Sequence, residues 1–513
     1  MSRQLFKSTA VVGSMSLVSR LLGFVRDMLI AHIFGVGSAT DAFFVAFKIP
    51  NFLRRLFAEG AFAHAFVPVL SDYKEHGSQA ALKQFIDKTA GTLSVCLLLI
   101  TALGVFAAPV LIMLLAPGFI RQGSQYELSV QLLQITFPYL FFVTLVAFAG
   151  GILNAHGKFA IPALTPVFLN ICMIAAAIWL APLMSEPVTA LAWGVFAAGV
   201  VQLLFQLPAL AHLGLMPRPR LGFDDAGVKR IISLMLPAIF SVSVMQINLL
   251  LDTLVASFLS VGSVSWLYYS DRLVEFPLGI LGVALATVIL PNLSKSHAAD
   301  DTAAFSHALD WGLRLVVLMG LPATIGLVLL AEPMLSTLFQ YHEFGVSDVH
   351  FAGLSLKAYS LGLLGFILIK VLVPGFSARG DMKTPVRYGI YALLVSLALN
   401  LLLVFPLAHA GLALATSLGA FFNAALLLKK LHKDKVYQPA NGWGIFLVRV
   451  SLAGGVMAAG LFYGVDAAGW HDWSATERAL NLVKWIGLGL LCYTAILLLT
   501  GLRLRHLSAH RYE

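Results

Sequence analysis

Arginines, lysines and acids stand inside stretches of this chain that are otherwise apolar. Arg20, Arg26 and Asp27 lie in one such stretch near 10–35, and Asp41, Lys48, Arg54, Arg55 and Glu59 in the next, near 40–72. Asp252 follows near 230–259, Asp271, Arg272 and Glu275 near 264–293, and Lys370 near 352–376. A charge at the centre of a bilayer costs about 2.5 to 3.5 kcal/mol on insertion scales, so a group of this size must face itself or a water-filled cavity. The acids among these residues are fewer than the cations. An arginine fork takes phosphate or carboxylate through two parallel hydrogen bonds, so the implied ligand is anionic, with a diphosphate the natural fit. Asp41, Lys48, Arg55 and Glu59 are spaced by 7, 7 and 4 residues, which stacks them on one face of a regular helix, and Arg20 and Asp27 share a face of another. Gly23 and Pro50 would loosen those helices and open backbone groups to the cavity. The plainer alternative is that acids such as Glu59 and Asp271 only close internal ion pairs, or that long side chains snorkel to an interface.

Other chemistries find little support. His32, His64, His156 and His342 have no metal-ligand spacing among them, and Cys96, Cys172 and Cys492 sit far apart in apolar runs, where packing is their ordinary role. No P-loop and no nucleophile-and-base arrangement stands out, so the sequence describes a transporter rather than an enzyme. The net charge of +9 reflects topology and contact with anionic lipid, with no nucleic-acid signature behind it.

The elements that must position these charges are membrane spans. Hydrophobic residues make up 59% of the 513 and charged residues 12%, whereas about a quarter of an ordinary soluble domain is charged. Apolar runs of roughly 20 residues recur from end to end. Fourteen spans are expected, near 10–35, 40–72, 88–115, 128–154, 160–183, 188–212, 230–259, 264–293, 311–331, 352–376, 385–405, 411–430, 443–464 and 481–501. The basic N-terminus reads as a retained first span, because serines and Arg20 interrupt its apolar run and no small-x-small cleavage site follows. With the N-terminus inside, the outer joints hold only Arg121 and Arg478, and the remaining joint lysines and arginines fall inside, which places both termini in the cytoplasm.

A repeat runs through these spans. "VGS" at 36–38 returns at 261–263, "PVLS" at 68–71 returns as "PNLS" at 291–294, and "AHGKFAIP" at 155–162 echoes "ARGDMKTP" at 378–385, with offsets of 225, 223 and 223. A shared offset across six spans is the trace of a duplicated bundle, and an even number of spans makes the repeat parallel, with a cavity between halves. The expected fold is therefore an all-α polytopic membrane protein: an N-lobe over 1–217, a C-lobe over 218–436 and two added spans over 437–513. Arg20, Arg26 and Arg54 then fall on one lobe and Arg272 on the other, an anion clamp shared by two halves.

The motifs "SRLLGFVRD", "GSATDAFFVAFKIPNFLRRLFAEGAF" and "VSWLYYSDRLVEFPLGILGVALATVILP" together resemble the MurJ (MviN) family of lipid II flippases, within the multidrug, oligosaccharidyl-lipid and polysaccharide exporter superfamily. "APGF", "PGFSARGDMKTPV" and the fourteen-span plan extend the likeness over essentially the whole chain. The resemblance implies a bacterial inner-membrane protein, expected as a monomer among membrane lipids and other cell-wall synthesis proteins. It would carry lipid II, the undecaprenyl-diphosphate disaccharide pentapeptide, from the cytoplasmic to the periplasmic leaflet by alternating access. An exporter of another polyprenyl-diphosphate-linked oligosaccharide is the alternative. The family's cavity arginines fall on Arg20, Arg26, Arg54 and Arg272, as diphosphate and headgroup ligands. Asp41, Lys48 and Glu59 match as gating or pairing residues, a group in which Asp27, Arg55, Asp271 and Glu275 are also placed. The two added spans resemble a groove for the polyprenyl tail, which has no reason to leave hydrocarbon. The resemblance implies no organic cofactor but allows a sodium ion between spans 7 and 11. Asp252 would supply its carboxylate, with Asn400 and Thr416 as neighbours, unless Asp252 pairs with an arginine instead.

Overall fold

The computed structural model describes residues 3–466 and 469–502, with the side chains of all but 3–11, 59, 240–246, 248, 249 and 283. Among the described residues every regular element is helical. That follows from apolar runs in a solvent without water, where only a helix satisfies each backbone N–H and C=O within its own segment. The chain forms two compact units that divide between Ser265 and Trp266.

The first unit contains α1 (Arg3–Phe34), α2 (Ser38–Leu53), α3 (Ala63–His76), α4 (Gln79–Phe106), α5 (Ala108–Leu115), α6 (Ser124–Thr136), α7 (Tyr139–Ala155), α8 (Ala160–Ala175), α9 (Thr189–His212) and α10 (Ala226–Ala256). Helix α1 packs on α8, and α7 and α8 both pack on α9. Between α2 and α3 the chain never leaves helical form but widens into a π-helical segment, Arg54–Phe62. Its end is pinned by aromatic packing: the Phe62 and Phe66 rings stack at 5.1 Å, and Phe66 meets Phe148 at 5.0 Å. The repeat would assign α10 to the second half of the sequence, yet it packs against α3, α4 and the π segment and so belongs to the first compact unit.

Helix α11 (Ser263–Pro277) runs through the dividing point. Beyond it come a second π segment (Leu278–Gly282), α12 (Val283–Ala298), α13 (Thr302–Leu329), α14 (Ala331–Phe339), α15 (Val346–Leu361), α16 (Leu363–Ser377), α17 (Lys383–Lys433), α18 (Trp443–Gly464) and α19 (Ala475–Leu499). Helix α17 is two arms, broken just after Pro406 at Ala408, whose φ of 47° lies in the left-handed region that a residue with a Cβ adopts at a cost. Gly411 allows the second arm to turn back closely, because a Cβ there would fall 2.3 Å from the Leu403 carbonyl oxygen.

Ten helical segments among the described residues are long and apolar enough to cross a membrane. Expected spans 3 to 6, 8 to 10, 13 and 14 each coincide with one of them, and spans 11 and 12 are the two arms of α17. Spans 1 and 2, which concentrate the charges, fall outside the set, as does span 7, part of whose side chains lie outside the described residues.

Local geometry recurs at the offset found in sequence. Gly157 and Gly380 have φ of 74° and 75°, the left-handed values that favour glycine. The same two hydrogen bonds close each turn: Gly157 N donates to Asn154 O and Lys158 N to Leu153 O, and Gly380 N donates to Ser377 O and Asp381 N to Phe376 O. The π segments correspond as well, since subtracting 223 from 278–282 gives 55–59, inside Arg54–Phe62.

Candidate functional site

Helix α1 carries two arginines in different circumstances. Arg26 is buried and fully engaged: Nε and Nη2 donate to Asp27 Oδ1 at 2.9 and 2.6 Å, and Nη1 donates to Asn170 Oδ1 at 3.0 Å. Asn170 on α8 also donates to the Ser19 carbonyl, so one amide ties the guanidinium to the α1 backbone. Arg20 is exposed and has no hydrogen-bond or ion-pair partner among the described residues.

The second group sits where α2 gives way to the π segment. A common face for Asp41, Lys48, Arg55 and Glu59 requires regular α spacing throughout, and that spacing ends at Leu53. From Arg54 the backbone bonds run i to i+5, so residues four apart no longer stack. Arg54 is half-buried and grips the Asn51 side-chain oxygen through Nε at 3.1 Å and Nη2 at 2.8 Å. Arg55 is also half-buried, with no partner among the described residues, and the Glu59 side chain lies outside them.

Asp41 is buried, and its partners are backbone and hydroxyl groups rather than cations. It accepts from Gly262 N at 2.7 Å, Ser265 N at 2.8 Å and Ser265 Oγ at 2.5 Å, where α11 begins. The N–H groups at a helix start have no partner within the helix, and a carboxylate there satisfies them with favourable dipole interaction. Lys48 Nζ donates to Thr253 Oγ1 at 2.6 Å, on the residue that follows the buried Asp252 in α10.

In the second unit, Arg272 donates from Nη1 to Glu275 Oε2 at 2.7 Å and from Nη2 to Tyr268 Oη at 3.3 Å, with its guanidinium 4.9 Å from the Tyr268 ring centroid. All three residues project from one side of α11 at i, i+4 and i+7 spacing. Asp271 is half-buried beside them. Asn400 is buried in the first arm of α17 and Thr416 half-buried in the second, while Asp252 belongs to the first unit. No group of three or more His, Cys, Asp or Glu gathers anywhere among the described residues.

The structure thus joins Arg26 to Asp27, Arg272 to Glu275, and Lys48 to the residue next to Asp252. Sequence reasoning counted charges and so missed the uncharged partners Asn51, Asn170 and Tyr268. Asn51 and Tyr268 stand three and four residues before their arginines, a helical spacing that could have shown them. Asn170, reached across 144 residues, had only the signal of a lone amide in an apolar run.

Helices of this length and polarity, holding arginines inside apolar spans on carboxylates and amides of the same chain, define a multi-pass membrane protein. The family model described as "Lipid II flippase MurJ" matches residues 30–484. "Probable lipid II flippase MurJ" of Vibrio cholerae is 49% identical, covering 99% of this chain and 98% of that one. "Lipid II flippase MurJ" of Burkholderia cenocepacia is 42% identical over 90% of each. The chain belongs to the MurJ family. A solved structure of Lipid II flippase MurJ in an inward closed conformation matches with a TM-score of 0.80 at 26% identity, covering 95% of this chain and 98% of that one. An inward-facing transporter of the multidrug-resistance MATE family matches with a TM-score of 0.69 at 15% identity, covering 83% and 98%, a likeness of fold alone.

Proposed function

We propose that this protein flips lipid II from the cytoplasmic to the periplasmic leaflet of the inner membrane, with Arg20, Arg26, Arg54 and Arg272 as its diphosphate and headgroup ligands. Arg20 carries the reading: a cation within an apolar helix, exposed and without a partner among the described residues, in a chain of which 99% aligns with a probable lipid II flippase at 49% identity. Its fork has hydrogen-bond capacity to give, and a diphosphate offers oxygens at the matching spacing.

Fourteen crossings with both termini cytoplasmic, and two six-span halves related by a parallel repeat, complete the proposed architecture. The paired turns at Gly157 and Gly380 and the paired π segments support the repeat. Alternating access by two such halves would carry the headgroup while the tail stays in hydrocarbon. Asp252 supplies the carboxylate for a coupling sodium ion, and Lys48 is the cation that would yield to it. The protein works as a monomer among membrane lipids and beside other cell-wall synthesis proteins.

The test is complementation of a strain depleted of its lipid II flippase. The wild-type chain should restore growth, and Arg20→Ala, inserted and expressed at the same level, should not. Growth restored by Arg20→Ala would remove the arginine from the transport path.

A further inference from the structure

Helices α18 and α19 fall outside the repeat, so nothing in the duplicated halves explains how they stay attached. Packing alone is a weak answer. They lie against α13 and α14 through an apolar stripe that includes Val450, Ala453, Met457 and Leu461 on one side and Leu321 and Ile325 on the other. Between apolar helices in lipid there is no hydrophobic drive to associate, because the acyl chains are equally apolar; specific polar contacts and close packing must hold them.

Polar contacts occur at both ends of that stripe. Near the start of α13, buried Asp310 gathers four donors: Arg314 Nε at 2.8 Å, Tyr437 Oη at 3.0 Å, Ala440 N at 3.1 Å and Trp443 Nε1 at 2.6 Å. Arg314 in turn donates to the Asn441 carbonyl at 3.0 Å and lies 5.2 Å from the Trp443 ring centroid. The joint leading into α18 is thereby folded onto α13. Burial and the Asp310 carboxylate both push the Tyr437 phenol above its ordinary range, which keeps it a proton donor. At the other end, buried Arg478 in the first turn of α19 donates to the carbonyls of Ser336 (3.3 Å), Gln340 (3.1 Å) and His471 (2.6 Å). Trp470, fully buried, donates to Thr337 Oγ1 at 2.9 Å. From Asp310 to Leu330 is a rise of about 30 Å, one hydrocarbon thickness.

We infer that Asp310 and Arg478 are positioning residues that latch the α18–α19 pair to α13 and α14 at its two ends, so that the pair keeps one fixed register and holds the lipid tail in a defined place while the headgroup crosses. The inference rests on the proposed flippase function and on the tail groove that the family resemblance implies for these two added spans. Neither residue touches the headgroup, so their loss should be felt through the tail.

The test is transport by the full chain in vesicles, with lipid II bearing either its undecaprenyl tail or a short prenyl tail. Asp310→Asn keeps the shape and an acceptor oxygen but loses the charge that holds Arg314; Arg478→Gln removes the guanidinium that reaches the three carbonyls. Each variant should slow the long-tailed lipid roughly tenfold or more while leaving the short-tailed one within about twofold of wild type, the size of effect that slight misplacement produces. Equal slowing of both lipids, or of neither, would overturn the inference. A wild-type chain that moves neither lipid would overturn the flippase reading itself, and the inference with it.

Discussion

Arg20 and Arg478 are both guanidiniums within apolar helices, and their surroundings differ at nearly every point. Arg478 is 6% exposed and spends its donors on three main-chain carbonyls. Arg20 is exposed on α1 and spends none on the described residues. Six positions further along α1, Arg26 repeats the Arg478 pattern, with its donors taken by Asp27 and Asn170. The difference separates two uses of one side chain. An arginine saturated by its own chain holds helices in register, whereas one with donors to spare can take an anion and let it go. By that standard Arg26 is bound more tightly than a simple ligand needs to be, so the headgroup role proposed for it requires Asp27 to release it.

Mutations that strip one side of the contrast should break it most sharply. Arg20→Ala should abolish lipid II transport while leaving the thermal midpoint nearly unchanged, since no contact within the chain is lost; unfolding measured by light scattering in detergent would check the second half. Arg26→Ala should do the opposite first. It leaves the Asp27 carboxylate, 2% exposed, without its cation, at a cost of about 3 to 5 kcal/mol. The double variant Arg26→Ala/Asp27→Ala should recover much of that loss, and a double variant no more stable than the single one would show that the pair contributes little.

Arg54→Lys and Arg272→Lys should retain charge but transport roughly tenfold more slowly, because an ammonium cannot reproduce the planar fork. Wild-type rates from both would show that charge alone suffices. The smallest effect is expected away from the spans, at the joint before α10. Partial burial raises the Asp225 carboxyl, but Lys88 Nζ at 2.9 Å and the N–H groups of Gly227 and Val228 pull it further down, below the usual carboxylate range. A depressed carboxyl contributes stability that is complete above about pH 4 and fades as pH falls through the lower folded value. Thermal midpoints should therefore hold from neutral pH down to about 4 and then decline, less steeply in Lys88→Met.

Much of this architecture was legible in the sequence because bilayer physics is blunt. A run of about 20 apolar residues has few alternatives to a helix, and a charge within it demands an explanation. The joint expected between spans 11 and 12, residues 406–410, contains the break that the structure places at Ala408. The π segment at Arg54–Phe62 was not legible, since no residue type encodes it and the packing of Phe62 and Phe66 holds it in place. The partners of Asp41 lie more than 220 residues away and are backbone N–H groups and a serine hydroxyl, which no charge count can find. Asp310 stands one residue outside the span expected at 311–331, and nothing near it in sequence points to Tyr437 and Trp443, which reach it only after folding.

The most direct measurement is the leaflet in which lipid II resides when cells depend on each variant. Cells living on the wild-type chain should present lipid II on the periplasmic face of the inner membrane. Cells shifted to Arg20→Ala should accumulate it on the cytoplasmic face, with the protein inserted at wild-type level. Periplasmic lipid II in Arg20→Ala cells would contradict the assignment of the exposed arginine of α1 to the diphosphate.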